Sequence, residues 1–526
     1  MTNIGSGKIN LSPIRVDVKS GALFLMFLLL TFISRLPSFF LFNLSWDEGL
    51  YLVVAQKMLA GTPPYLVVWD HKPPGIFVLF ALAQLLFGET VFAIRVFTCL
   101  AVTITCFLLY KLGALIANEE KVGILAGILY AAFSLNNEGL AANTEIFYAV
   151  FITLAFYFFS KFYPEKLPAP TEGKFLVISG IFLGIGLQIN YLVILDLIAI
   201  MLIVGIDLCL RGGMGLRDML MKLSKLYGWL LIGPFLILLI VYLYFMLKGL
   251  AEVYFSANFI ANLNYVYKRD LVSADSIAAI RQQVSINAFA WVCLFLTPFY
   301  SLFLTNKLEQ RDRKLVNAVF VWSAVIGLAL VLLGRFYFHY FLHLLPSMCL
   351  LIAFLIYRIA FIDITAERRA QVLLLTLVLL APLIQNIYPT LELATGLVYY
   401  RQTKGIKDWN NEPVGIAQYL RERIKPDDYI YSVDYNPIIY FLARAKIPTK
   451  YIFPPYLNDE RTYELTNMDP VAELASIMNK RPVYIIIQYQ NDNLFYETLE
   501  RYLDRYYVRE ISVNGAILYR VRPEQY

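Results

Sequence analysis

Charge, cysteine and histidine are all scarce in this sequence. Asp, Glu, Lys and Arg make up 16% of its 526 residues, against 59% hydrophobic ones. That is too little charge to keep a soluble chain of this length solvated. The five cysteines, Cys99, Cys106, Cys209, Cys293 and Cys349, all fall within or at the ends of apolar stretches. Their placement speaks against a disulfide scaffold and against a CxxC metal site. Histidine occurs only as His71, His339 and His343. A nucleotide-binding loop is missing too, because Gly212-Gly213-Met214-Gly215 lacks the strand and the spacing of a dinucleotide fingerprint. The net charge of +6 is largely spent on short loops between apolar stretches and gives no argument for nucleic acid.

Long apolar runs are what the chain has in abundance. Stretches near 22–42, 91–110, 122–137, 144–160, 174–189, 191–210, 226–247, 286–304, 315–333, 340–357 and 371–388 predict about eleven membrane-spanning helices, since a bilayer core of about 30 Å needs about 20 apolar residues. Residues 174–210 hold two spans that meet at Gln188–Tyr191 with almost no loop, and 75–88 is short enough to lie along the interface. With the N-terminus inside, the inner segments carry 19 Lys or Arg and the outer ones 7, the asymmetry of the positive-inside rule. The first apolar segment follows Lys8, Arg15 and Lys19 without a small-residue cleavage site before Arg35-Leu36-Pro37, so it reads as an uncleaved anchor.

Beyond about residue 390 no span-length run remains. Helical patterns at 413–424, 436–445, 470–480 and 494–505 alternate with β-like runs at 428–433, 482–488, 507–512 and 516–521. The expected architecture is a polytopic α-helical membrane domain over 1–390, with an external loop at 43–90, and a small external α/β domain over 391–526. The external side is the periplasmic or extracellular one if the membrane is a bacterial plasma (inner) membrane.

Function concentrates in the 43–90 loop. Trp46-Asp47-Glu48-Gly49-Leu50-Tyr51 leaves the first apolar segment, and Asp70-His71-Lys72-Pro73-Pro74-Gly75 follows. Ionisable groups beside a membrane span are costly unless they bind or react. The bland alternative is that Asp47 and Glu48 merely favour the N-terminus of a helix starting after Ser45.

Together with Phe87-Gly88-Glu89 and Arg95, Asn143-Thr144-Glu145, and Gly334-Arg335-Phe336-Tyr337-Phe338-His339-Tyr340-Phe341, this pattern resembles the GT-C membrane glycosyltransferases, in particular the family of 4-amino-4-deoxyarabinose lipid A transferase and the protein O-mannosyltransferases. The resemblance implies transfer of a sugar from a polyprenyl-phosphate carrier to a lipid, protein or glycan acceptor outside the cytoplasm, next to membrane lipids.

Such chemistry needs a base for the acceptor hydroxyl and cations for the departing phosphate. Asp47 is the candidate base and Glu48 its support. Lys72 and Arg95, by resemblance, and Arg335 and Tyr340, by position, are the candidate phosphate contacts. Lys72 snorkelling to headgroups and Arg95 paired with a carboxylate are the structural alternatives. His71, Asn143 and Glu145 are further site candidates. A divalent metal held by His71, Glu145 and His339 is conceivable by residue type, although His71 stands where the family suggests an acidic residue. Asn190 likewise stands where relatives often carry a lysine. The external Asn258, Asn262 and Asn264 suit sugar hydroxyls or plain solvation. A secondary transporter or flippase is the rival reading, resting on Asp196 in mid-span.

Overall fold

The structure is a computed structural model. It describes residues 18–42, 44–163, 173–210, 215–267, 310–332, 337–361, 412–489, 493–513 and 515–523, with a few isolated positions besides.

Helix α1 (Val18–Arg35) ends in a 3-10 turn, Leu36–Phe40, where Pro37 occupies the first turn. Helix α2 (Trp46–Leu59) carries the Asp47-Glu48 pair in its first turn. Helix α3 (Pro74–Phe87) begins with Pro74, whose missing N–H costs nothing at a helix start. Then come α4 (Val91–Ala117), α5 (Glu120–Phe133), α6 (Thr144–Phe162), α7 (Gly173–Leu187), α8 (Ile194–Leu210) and α9 (Leu216–Leu247). Later apolar helices cover Gln310–Leu332 and, after a 3-10 turn, Leu345–Phe361.

Among the described residues, 7 helices are long and apolar enough to cross a membrane, and Pro74–Phe87 and Gly173–Leu187 are shorter apolar helices. The expected stretches at 286–304 and 371–388, like the domain boundary near 390, lie outside the described residues. The 122–137 stretch forms a helix of 14 residues, too short to span alone. The junction at 188–191 is a tight turn in which the Asn190 side chain accepts the Leu192 N–H at 3.0 Å. The loop expected from 248 onward is helical at its start, with Ala251–Phe255, a π-turn at Ser256–Ile260 and Ala261–Tyr267.

The C-terminal part folds as expected, around a sheet of 4 strands in the order β1-β2-β4-β3. β1 (Ile430–Ser432) and β2 (Tyr484–Ile487) are parallel, whereas β3 (Tyr507–Val513) and β4 (Ala516–Val521) are antiparallel neighbours. The helices Glu412–Arg421, Ile438–Ala443, Pro470–Asn479 and Leu494–Tyr506 accompany it. β1 and β2 are buried throughout, which is why Ile430-Tyr431-Ser432 and Tyr484-Ile485-Ile486-Ile487 read as continuous rather than alternating runs.

Two buried arginines fix the extramembrane loops on the helices. Arg35 donates to the Gly139 carbonyl at 2.7 Å and to the Ser134 carbonyl at 2.8 Å. Arg95 donates to the Ser38 carbonyl at 2.9 Å, to the Leu41 carbonyl at 3.0 Å, and to Glu48. The C-terminal part rests directly on α2: a Cβ on Gly49 would lie 2.3 Å from Asn436 Oδ1 and 2.7 Å from the Ile438 nitrogen. Gly75 is needed for a similar reason. Its N–H donates to the Gln188 carbonyl at 2.6 Å, and a Cβ there would lie 2.4 Å from that oxygen.

Candidate active site

The first turn of α2 separates its two carboxylates. Consecutive helical side chains diverge by about 100°, and Asp47 and Glu48 meet different surroundings. Glu48 is 1% exposed; one of its oxygens accepts from Arg95 and from the Ala142 N–H at 2.8 Å. Asp47 keeps some contact with solvent. Protein nevertheless encloses its carboxyl enough that desolvation raises its pKa, opposed by the nearby charges of Lys72 and His339. A carboxylate made more basic by its surroundings is what a general base requires.

The loop before α3 supplies the second side of the site. Asp70 is 2% exposed. Its Oδ1 accepts the His71 backbone N–H and the Tyr456 hydroxyl, each at 2.7 Å, while Oδ2 is buried without a hydrogen-bond partner. Burial pushes the Asp70 carboxyl up, but the His71 hydrogen bond, the His71 and Lys72 charges and Tyr456 outweigh it and hold the group below its ordinary range.

The loop is gripped by its own and neighbouring side chains. Tyr65, in a left-handed conformation at φ 72°, donates to the Lys72 carbonyl at 2.8 Å. Asn262 donates to the His71 carbonyl at 2.8 Å, and Asn258 Oδ1 accepts the Tyr191 hydroxyl at 3.2 Å with the Tyr65 hydroxyl oxygen 3.3 Å away. Asn258 and Asn262 therefore brace the loop, and the sequence expectation that they suit sugar hydroxyls is met by an internal use instead.

The third side is the start of α6. Glu145 is buried, with Oε2 accepting from Thr144 at 3.0 Å and Oε1 without a partner. Asn143 donates to the Glu138 carbonyl at 2.9 Å and leaves Oδ1 buried and unpartnered. Asn190 Nδ2 donates to the Thr144 hydroxyl at 2.9 Å, so at this position it supports the α6 start. Burial raises the pKa of Tyr51, one turn beyond Asp47, and the charges of Asp47, Asp70 and Glu145 add to that rise. Buried polar atoms left without partners are costly, and Asp70 Oδ2, Glu145 Oε1 and Asn143 Oδ1 are three such atoms.

Several sequence expectations need correcting. Arg95 is 0% exposed, with its guanidinium spent on Glu48 and two carbonyls; it stands behind Glu48 and offers no contact to a phosphate. Glu48 itself faces Arg95, so its support of Asp47 runs through the backbone of α2. The three candidate metal ligands do not assemble. His71 Nδ1 faces Tyr456 at 3.1 Å, His339 Nδ1 faces Glu138 at 2.9 Å, and Glu145 takes Thr144. Among the described residues no group of three His, Cys, Asp or Glu side chains is arranged to hold a metal.

Tyr340 is nearly buried, edge-on to Tyr337 and His339 at 5.4 and 4.9 Å; Arg335 lies outside the described residues. Asp196 has both oxygens occupied, by Trp322 and His343, each at 2.7 Å. Sequence reasoning passed over Tyr51, Asp70 and Tyr456. For Asp70 a signal existed, an acid directly before His71-Lys72; Tyr456, 386 residues along the chain, gave none.

Residues 71–238 match the family described as dolichyl-phosphate-mannose-protein mannosyltransferase. Curated relatives include the undecaprenyl phosphate-alpha-4-amino-4-deoxy-L-arabinose arabinosyl transferases of Pseudomonas aeruginosa, 31% identical over 94 residues, and of Pseudomonas savastanoi, 28% identical over 122 residues. These matches span 17% and 22% of this chain and the same shares of the relatives. Among solved structures, ArnT from Cupriavidus metallidurans bound to undecaprenyl phosphate aligns with a TM-score of 0.57 at 13% identity, covering 95% of this chain and 97% of that one. The oligosaccharyltransferase AglB from Archaeoglobus fulgidus, in complex with an inhibitory peptide and a dolichol-phosphate, aligns with a TM-score of 0.53 at 13% identity, covering 97% and 75%. At such identities the likeness is one of fold.

Proposed function

We propose that the chain, whose fold is that of the GT-C membrane glycosyltransferases, moves a pentosyl or hexosyl group from a polyprenyl-phosphate carrier to a lipid, protein or glycan acceptor. The observation that carries this reading is Asp47: a carboxylate of raised pKa, at the rim of an apolar sheath, with Lys72 as its strongest neighbouring charge.

Asp47 takes the proton from the acceptor hydroxyl as that oxygen attacks the anomeric carbon. The new C–O bond forms while the bond from carbon to phosphate oxygen breaks through an oxocarbenium-like state. The electron pair leaves with the polyprenyl phosphate, whose growing charge Lys72 stabilises in partly water-excluded surroundings. The unpartnered oxygens of Asp70, Glu145 and Asn143 are acceptors suited to the hydroxyl or amino groups of a sugar. The transfer takes place on the non-cytoplasmic face, with the N-terminus inside, the soluble domain outside, and the protein in a bacterial inner membrane; the basic-residue asymmetry supports this orientation.

The test is transfer by purified protein supplied with polyprenyl-phosphate-linked sugars. Asp47→Asn, nearly isosteric and not basic, is expected to retain donor and to lose about 10²–10⁴-fold in turnover. An Asp47→Asn protein of full activity contradicts the assignment.

A further inference from the structure

Tyr456 belongs to the soluble domain yet touches the two residues that precede Lys72. Its hydroxyl lies 2.7 Å from Asp70 Oδ1 and 3.1 Å from His71 Nδ1. A tyrosine has one O–H proton to give. The ionised Asp70 carboxylate, which has no proton of its own, takes it. His71 Nδ1, which also lies 3.3 Å from Asp70 Oδ1, is then the donor in the second contact, and both neighbours place a hydrogen of His71 on Nδ1.

The seat of Tyr456 is equally defined. Its ring meets Trp69 edge-on at 4.9 Å and Phe453 at 5.2 Å. Trp69 donates its backbone N–H to the Lys450 carbonyl at 2.8 Å, and Asn436 of the same domain donates to the Ser45 carbonyl at 3.4 Å. The lack of a Cβ at Gly49 lets the domain come this close to the turn that carries Asp47.

We propose that Tyr456 is a positioning residue for the transfer reaction: by holding Asp70 and the Nδ1-protonated His71 in one arrangement it sets where Lys72 stands, so that the soluble domain completes the active site. This inference rests on the transferase reading above. Tyr456 acts through Asp70, His71 and Lys72 and touches no reacting atom. Displacing a charge by about 1 Å from its working position costs on the order of 10²-fold in rate, and the Tyr456 hydroxyl is bonded to the two residues that directly precede Lys72.

The full chain, labelled with 15N-histidine in lipid nanodiscs, gives three imidazoles to follow. In Tyr456→Phe the ring and its packing on Trp69 remain while the oxygen is lost. The expected result is that the His71 Nδ1–H resonances move as their acceptor changes from phenol to carboxylate, and that kcat falls about tenfold to a hundredfold, with the donor KM within about threefold of wild type. Asp70→Asn approaches the same contact from the membrane side and serves if Tyr456→Phe does not fold. It should give a comparable loss, with the double variant no worse than the poorer single one. Unmoved His71 resonances, an unchanged kcat or additive losses overturn the proposal. A folded wild-type protein that transfers no polyprenyl-linked sugar overturns the transferase reading instead, and the His71 resonances then still report the Tyr456 contact.

Discussion

The interior of the helical sheath and its outer rim both contain buried carboxylates, and the two regions treat them differently. In the interior Glu48 accepts from Arg95 and the Ala142 N–H, and Asp196 accepts from Trp322 and His343. At the rim Asp70 and Glu145 each keep one buried oxygen without a partner, and the Asp47 pKa is raised by burial, against the charge of Lys72. Matched charges of the first kind hold helices and loops in register; removing one partner leaves the other stranded in low dielectric. Unmatched acceptors of the second kind would gain partners from a polar ligand. The comparison separates architecture from chemistry within a single helical turn, since Asp47 and Glu48 are adjacent.

The sharpest way to break this comparison is to strand an interior charge. Arg95→Met leaves the buried Glu48 without its cation, and leaves the Ser38 and Leu41 carbonyls unsatisfied. A loss of about 3–5 kcal/mol is expected, read as a lowered Tm and reduced folded yield. Adding Glu48→Gln to Arg95→Met should recover part of it. A single Arg95→Met variant as stable as wild type but unable to retain donor would restore Arg95 to the phosphate.

At the rim the effect should fall on rate. Lys72→Ala is expected to lose about 10²–10³-fold in kcat, about 2.7–4 kcal/mol of transition-state stabilisation, with little change in Tm. Normal turnover would remove Lys72 from the mechanism.

The pH profile gives a smaller, signed effect. The base must be ionised to work, and the Asp47 pKa is raised, so activity should fall on acidification at a pH above the ordinary aspartate value of about 3.9. Lys72 lowers the Asp47 pKa, as do His339 and His71, while Asp70 raises it. Removing Lys72 should therefore move the acid limb upward, and a downward move would place the titration elsewhere.

Smallest of all, Asn262→Ala removes the bond to the His71 carbonyl. It should cost about 1 kcal/mol, seen as a modestly less stable loop and a few-fold slower transfer.

Periodicity made much of the fold legible. The helix Leu494–Tyr506 and the strands 507–513 and 516–521 lie where polar and apolar alternation puts them, because a solvated surface element must show its period. The Lys72-Pro73-Pro74-Gly75 motif stands out in the sequence as a candidate site. Part of its meaning is structural, in that Pro74 starts α3 and Gly75 admits the Gln188 carbonyl. What sequence could not give is pairing at a distance. Arg95 looks the same in sequence whether it faces a phosphate or Glu48, and only the three-dimensional path of α4 decides between them. Asp70 and Tyr456 are likewise joined by domain docking that leaves no local pattern.

The central claim is that Asp47 works on the substrate while Glu48 works on the fold, and one paired measurement tests it most directly. Donor binding, sugar transfer and Tm are measured on purified Asp47→Asn and Glu48→Gln. The account predicts that Asp47→Asn binds donor and melts like wild type but transfers little or no sugar, whereas Glu48→Gln melts lower and transfers in proportion to the protein that remains folded. An active Asp47→Asn beside a stable but inactive Glu48→Gln would contradict the account and exchange the two roles.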